Sequence, residues 1–239
     1  MKKLPIILLL CLITYPVAGC IAQEPGEGST YTYREGDPFG TGKWYMGREI
    51  AHVMGYQGMA WLVRPEREEE ENTSILLKNM DIQPTDTIAD IGAGAGYHVF
   101  KMAGLTPEGG VYAVDIQDEM LAELKRQKSK GDVRNVTLVK GSEKSVNLPE
   151  HSVDKVLMVD VYHEFTYPDQ MMASVRKALK PDGKVFLIEY RGEDLSIPIK
   201  KVHKMTEKQA VLEMRAAGFR LEKNMANLPW QHCMVFVKK

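Results

Sequence analysis

Apolar positions along this chain change rhythm several times, and the rhythm predicts its elements. Thr87–Ile91, Val111–Ile116, Val136–Lys140, Val153–Val159 and Lys184–Glu189 read as strands. Several of these, Val153–Val159 above all, are almost continuously apolar, as strands buried on both faces of a parallel sheet must be. Between them lie helical patterns at Gly96–Gly104, Asp118–Ser129 and Pro168–Leu179, and a further helix runs from Thr206 to Ala217 with Gly218 as its cap. Phe219–Met225 and Cys233–Val237 close the chain as strands. Alternation at this spacing predicts a doubly wound, Rossmann-like α/β fold: a seven-stranded, mostly parallel sheet with an antiparallel last strand and helices on both faces.

Upstream of the first strand the rhythm is weaker. Residues 45 to 60 predict a short helix interrupted by Gly55 and Gly58. Arg64-Pro65 opens a second one, whose apolar face is Ile75, Leu76 and Met80. Its acidic run, Glu66 and Glu68 to Glu71, reads as a solvated helix start that suits the helix dipole. Residues 20–43, rich in Gly, Pro, Glu, Ser and Thr, read as a flexible tether, so the folded domain is placed at 44–239.

Residues 1–19 read as a signal peptide. Lys2 and Lys3 precede an apolar run from Leu4 to Val17, shorter than the roughly 20 residues needed to span a bilayer. The run ends in Val17-Ala18-Gly19-Cys20, which resembles the lipobox of bacterial lipoproteins, whose cysteine is lipidated. The alternatives are ordinary cleavage near Ala18 or Ala22, or a misread leader on a cytoplasmic protein. The expectation is an exported protein, periplasmic or on the outer surface, held to the membrane through Cys20.

Composition narrows the function. With 31 basic and 32 acidic side chains in 239 residues, the chain lacks the positive excess of a nucleic-acid binder. Three cysteines, Cys11, Cys20 and Cys233, supply neither a disulfide framework nor a thiolate cluster, and no metal site is read.

The candidate chemistry lies at the strand ends, where ligands bind in such folds. Asp90-Ile-Gly-Ala-Gly-Ala-Gly96 follows the first sheet strand. Gly92, Gly94 and Gly96 allow a sharp turn and close approach of a ligand to the backbone. The spacing is not that of a dinucleotide fingerprint, and no Lys-Ser/Thr follows to make a P-loop. Asp115, ending the second strand, is placed to accept both hydroxyls of a ribose. The fourth strand ends in Asp160-Val-Tyr162-His163-Glu164, where His163 would titrate near neutrality and serve as a base.

This combination resembles the class I S-adenosylmethionine (SAM)-dependent methyltransferases over roughly residues 60 to 239, including the Leu179–Lys184 lead-in to the fifth strand. Within that class it looks most like the small-molecule group typified by quinone-biosynthesis enzymes. The resemblance implies that the Asp90–Gly96 loop cradles the methionine part of SAM and that Asp115 holds the ribose. It also implies that Ile116 packs on adenine with Met120 nearby, and that Asp160 lies beside the sulfonium. Where that family often has Gly-Asp-Ala, this chain has Gly141-Ser142-Glu143, leaving Ser142 to offer one hydrogen bond to the adenine.

Asp160, Tyr162 and His163 are the candidate catalytic residues, with Glu189 and Tyr190 as further wall candidates. Tyr45, Arg48, Tyr56, Trp61 and Arg64 are candidates for a lid, and Arg191, Lys200, Lys201, His203 and Lys204 for contacts to an anionic substrate. The expected reaction is in-line methyl transfer to a small or lipid-like acceptor. A second reading, prompted by export away from cytoplasmic SAM, is a lipid-anchored, non-catalytic ligand-binding domain on the same fold.

Overall fold

A computed structural model describes residues 30–239; the expected signal peptide and Cys20 lie outside the described residues. Among the described residues, ten strands and seven α-helices follow in order: β1 (Tyr31–Tyr33), β2 (Gly40–Tyr45), β3 (Arg48–Ala51), α1 (Met59–Leu62), α2 (Arg67–Glu71), α3 (Thr73–Met80), β4 (Thr87–Ile91), α4 (Val99–Leu105), β5 (Gly110–Asp115), α5 (Asp118–Lys130), β6 (Val136–Lys140), β7 (Val153–Val159), α6 (Pro168–Ala178), β8 (Leu179–Tyr190), α7 (Glu207–Ala216), β9 (Phe219–Asn224) and β10 (Gln231–Lys238). No helix among the described residues is long and apolar enough to cross a membrane.

Seven strands form the main sheet in the order β6-β5-β4-β7-β8-β10-β9, with β10 antiparallel to both of its neighbours. The expected architecture is present, antiparallel last strand included. Successive residues along each central strand point to opposite faces, and both faces are covered. Ala89, Met158, Leu187 and Phe236 pack with residues of α6 and α7, whereas Ile88, Leu157, Phe186 and Val235 pack with residues of α3, α4 and α5. The chain reverses its strand order at β4, which pairs with β5 on one side and β7 on the other. The carboxyl ends of these strands open the crevice in which such folds bind ligands.

The N-terminal region departs from the sequence expectation. Residues 31–43 are not a tether and residues 45–51 are not helical; β1, β2 and β3 form a separate antiparallel sheet. Met46 and Gly47 join β2 to β3, both with positive φ, as a two-residue type I′ hairpin requires. Tyr31, Tyr45 and Ile50 supply the buried face and pack against Tyr167, and the Lys43 ammonium lies 3.5 Å from the Tyr167 ring centroid. Tyr31 donates to Gln170 Oε1 at 2.6 Å, docking the small sheet on α6.

The expected helix from residue 64 is also two pieces. Asn72 takes a left-handed conformation (φ 54°), ends α2, and caps α3 by accepting from the Ile75 amide. The break turns the last residue of the acidic run inward. Glu71 is buried against Arg67, so it is not part of a solvated face.

Arg48 fastens the small sheet to the main one. Its guanidinium makes paired bonds of 2.8 and 2.9 Å to the fully buried Glu213 of α7, and donates to the His163 carbonyl at 3.0 Å. Removing one member of such a pair strands the other charge in the interior. Arg48→Ala is therefore expected to lower unfolding free energy by about 3–5 kcal/mol, read by urea denaturation.

Candidate active site

A cleft of about 710 Å³ lies over the carboxyl ends of β4, β5 and β7, a size typical of small-molecule sites. Its floor is the glycine loop. Gly92 and Ala93 donate to the Val114 carbonyl at 2.9 and 3.0 Å, folding the loop back over β5. Gly94 donates to Asp115 Oδ2 at 2.8 Å, and Gln117 donates to Oδ1 at 2.9 Å. Asp115 thus ties the loop to the start of α5 while lining the cleft. Gly94 has a φ of 51°, a conformation that favours glycine, and a Cβ there would displace the tip of the Leu62 side chain, 2.6 Å away.

Of the residues singled out in the sequence, Gly92, Gly94, Asp115, Ile116, Ser142, Asp160 and His163 line this cleft, as does Met120. Ile116 is 39% exposed, an apolar side chain offering a wall to a planar ligand. The Ser142 hydroxyl is engaged in its own turn, at 3.3 Å from the Lys144 amide and 3.4 Å from the Ser145 carbonyl.

Asp160 has a left-handed backbone (φ 49°), and its Oδ2 accepts from Gln231 at 2.6 Å. Its buried Oδ1 has no partner among the described residues. Burial raises its pKa well above the usual carboxylate range, with Glu71 and Glu189 adding to the effect. A ligand ammonium would complete that oxygen. With the glycine floor, the Asp115 carboxylate and the Ile116 wall, the donor set fits the amino acid, ribose and base of SAM.

Three sequence candidates lie elsewhere. Asp90 and Gly96 are not in the cleft wall. Asp90 is buried behind the loop, within electrostatic reach of Arg67 and Asp115. Tyr162, 1% exposed, belongs to the core: its ring packs edge-on to Phe165 and its hydroxyl pairs with Glu213. Residues 162–164 form a single helical turn, which sends Tyr162 inward and leaves His163 and Glu164 on the cleft side.

His163 does not present a free base. Its Nδ1 lies 2.6 Å from Glu189 Oε2, and its Nε2 lies 3.1 Å from His203 Nδ1. Glu189 also accepts from the Tyr162 and His163 amides through Oε1, at 3.0 and 3.3 Å. It is a positioning residue outside the cleft wall, whereas Tyr190 lines it. Burial lowers the His163 pKa, but the Glu189 charge outweighs it and the net shift is upward. Glu164 accepts from the Met54 amide at 3.1 Å, and burial pushes its carboxyl up to about 7.

The lid expectation holds in part. Trp61 and Arg64 line the cleft; Tyr45 and Arg48 serve the N-terminal sheet, and Tyr56 lies outside the wall. Arg64 donates to Glu70 and Glu71, stacks on Trp61 at 3.7 Å, and is joined through Glu71 to Arg67 and the Tyr190 hydroxyl. From residues 191–204, Lys200 and His203 reach the cleft. Arg191 instead holds the carbonyls of Leu228 and Pro229, and Lys204 those of Asp194 and Ile197. Phe39, His52 and Met54 also line the cleft; Phe39 is an aromatic residue of the stretch read as a tether, and His52 and Met54 carried no distinguishing signal in the sequence.

Comparison with known proteins agrees with this geometry. Residues 82–232 match a family described as "Methyltransferase domain". An uncharacterized methyltransferase of Bacillus subtilis, YdaC, is 28% identical over 144 residues, covering 60% of this chain and 76% of that one. The ubiquinone/menaquinone biosynthesis C-methyltransferase UbiE of Teredinibacter turnerae is 30% identical over 112 residues, and the chain spans only 45% of its length. A crystal structure of a SAM-dependent methyltransferase from Aquifex aeolicus superposes with a TM-score of 0.73 at 23% identity, covering 77% of this chain and 98% of that one.

Burial raises the Asp90 carboxyl to about 7, with Asp115 adding to the rise and Arg67 opposing it. The folded state therefore holds a proton that the unfolded chain releases near pH 4, and Asp90 costs stability as pH rises from about 4 to 7. Asp90→Asn is expected to raise the melting temperature by several degrees at pH 8 and to make little difference near pH 4, read by thermal denaturation across pH.

Proposed function

The chain belongs to the methyltransferase-domain family and is a SAM-dependent enzyme, and from that premise we propose a small or lipid-like molecule as its methyl acceptor. One observation carries the reading. A single cleft holds the glycine loop and Asp115 together with His163, Glu164 and His203. SAM supplies an electrophilic methyl group on a sulfonium. In this reading Asp115 accepts from the ribose hydroxyls, Ile116 and Met120 flank the base, and Asp160 Oδ1 accepts from the ammonium.

Part of the cleft wall is apolar. Phe39, Val53, Met54, Phe165 and Ile199 line it, alongside the polar His52, His163, Glu164, Lys200 and His203. Such a wall suits an acceptor with a hydrophobic body and excludes water from the reacting atoms. The likeness to an enzyme described as acting in ubiquinone and menaquinone biosynthesis supports this class of acceptor. The residues lining the cleft would hold the acceptor in line with the methyl group, and such positioning lowers the barrier to a displacement.

The N-terminal segment completes the proposal: an exported protein anchored through a lipidated Cys20. Cells expressing the wild type are expected to incorporate labelled palmitate into the chain, and Cys20→Ser to abolish it; an unlabelled wild type refutes the anchor.

The cofactor assignment is tested by calorimetric titration of SAM. Asp115→Ala removes a carboxylate that orders the loop and would hold the ribose, so affinity is expected to fall by about tenfold to a hundredfold or more. Unchanged affinity in the variant would overturn this placement of the donor.

A further inference from the structure

Three side chains at the acceptor end of the cleft stand in an arrangement that methyl transfer by itself does not call for. His163 Nε2, His203 Nδ1 and Glu164 Oε1 converge, with separations of 3.1, 3.8 and 3.6 Å among the three atoms. All three residues line the cleft. The triangle leaves a point about 2.0–2.1 Å from every corner, which is the bond length of zinc to imidazole nitrogen and carboxylate oxygen.

We propose that His163, His203 and Glu164 form a binding site for a divalent transition-metal ion of borderline softness, such as Zn(II). The choice of ion follows from the donors. Two imidazoles and one carboxylate suit Zn(II) and its neighbours in the first row, whereas Mg(II) and Ca(II) take oxygen donors.

The surroundings are those of a built metal site. Glu189, fully buried, accepts the Nδ1 proton of His163 at 2.6 Å, which fixes the ring tautomer and leaves Nε2 as the ligand atom. The same carboxylate accepts from the His163 and Tyr162 amides, so backbone and ring are oriented together. Arg48 holds the His163 carbonyl from behind, and the Met54 amide donates to Glu164 Oε1, the oxygen that faces the two rings. The His163 and His203 rings lie edge to face with centroids 5.1 Å apart.

No metal was read from the sequence, because His203 lies forty positions beyond His163 and the spacing matches no local motif. The fold closes that distance by bringing the turn after β7 against the single helical turn Lys201–His203.

With three protein ligands the ion keeps an open position toward the cleft, the arrangement of catalytic rather than structural zinc. A hydroxyl or thiol of the acceptor bound there would give up its proton to solvent and remain as an anion on the metal. This last step rests on the methyl-transfer reading; the metal site itself does not.

The test uses the full untagged chain, stripped of metal and titrated with Co(II) as a spectroscopic probe. Stoichiometric binding with the intense visible absorption of a tetrahedral site, displaced by Zn(II), is expected. His203→Ala and Glu164→Gln should abolish that absorption while keeping a cooperative thermal transition. Glu189→Gln should weaken Zn(II) by about 10- to 100-fold, as loss of a partner behind a ligating histidine does. Absence of binding in the folded wild type overturns the proposal, as does undiminished binding in both ligand variants. SAM titrated into the same samples separates the two readings: SAM binding without metal removes only the metal site, and metal binding without SAM removes the methyl-transfer placement.

Discussion

One carboxylate organises the functional end of this molecule. Glu189 is buried at the end of β8, where an unpaired charge would be costly, and its oxygens are satisfied by two amides and an imidazole from the turn that follows β7. That turn is the one the reactive side chains come from. Neighbouring strands of a parallel sheet set their own ends side by side, but the chain leaving each strand is free to go anywhere. Glu189 removes that freedom. It curls residues 162–164 into a single helical turn, sends Tyr162 into the core, and leaves His163 and Glu164 at the cleft.

The rest of the site leans on this turn from outside. Arg48, carried by the N-terminal sheet, takes up the His163 carbonyl while pairing with Glu213 of α7. Gln117 reaches from the Asp115 side to the Met54 carbonyl, and the Met54 amide reaches Glu164. The donor and acceptor ends of the cleft are thus joined through one residue of the N-terminal segment. Charged groups dominate these links, yet nearly all are paired, as burial requires.

How much of this was legible depended on where the physical signal lay. Strands buried on both faces must be apolar along their length, so β7 and β8 stood out, and with them the fold. The glycine loop was legible because positive φ at Gly92, Gly94 and Gly96 admits few other residues. The N-terminal sheet was not. Its inward positions include Lys43 and Glu49, which look like surface residues until the aromatic rings and loop amides that receive them are known. The Met46-Gly47 hairpin also lacks the Asn or Asp that usually announces such a turn. Glu71 read as part of a solvated acidic run for the same reason: a buried ion pair and an exposed one have the same letters. His203 stood out only as one basic residue of a long connection, since its partners His163 and Glu164 are defined by tertiary structure.

The pairing of Arg48 with Glu213 has a consequence for biosynthesis. The two residues are separated by 165 positions, so on the ribosome the N-terminal hairpin is made long before the helix that receives it. Until α7 has emerged, Arg48 has no buried carboxylate to meet, and the His163 turn has no support from that side. The added entropic cost of so long a closure grows only slowly with chain length, about (3/2)RT ln n, so delay rather than energy is the penalty. The sheet can therefore nucleate through its local strand–helix units while the reactive turn is held by Glu189 alone, without the brace that the Arg48–Glu213 pair adds.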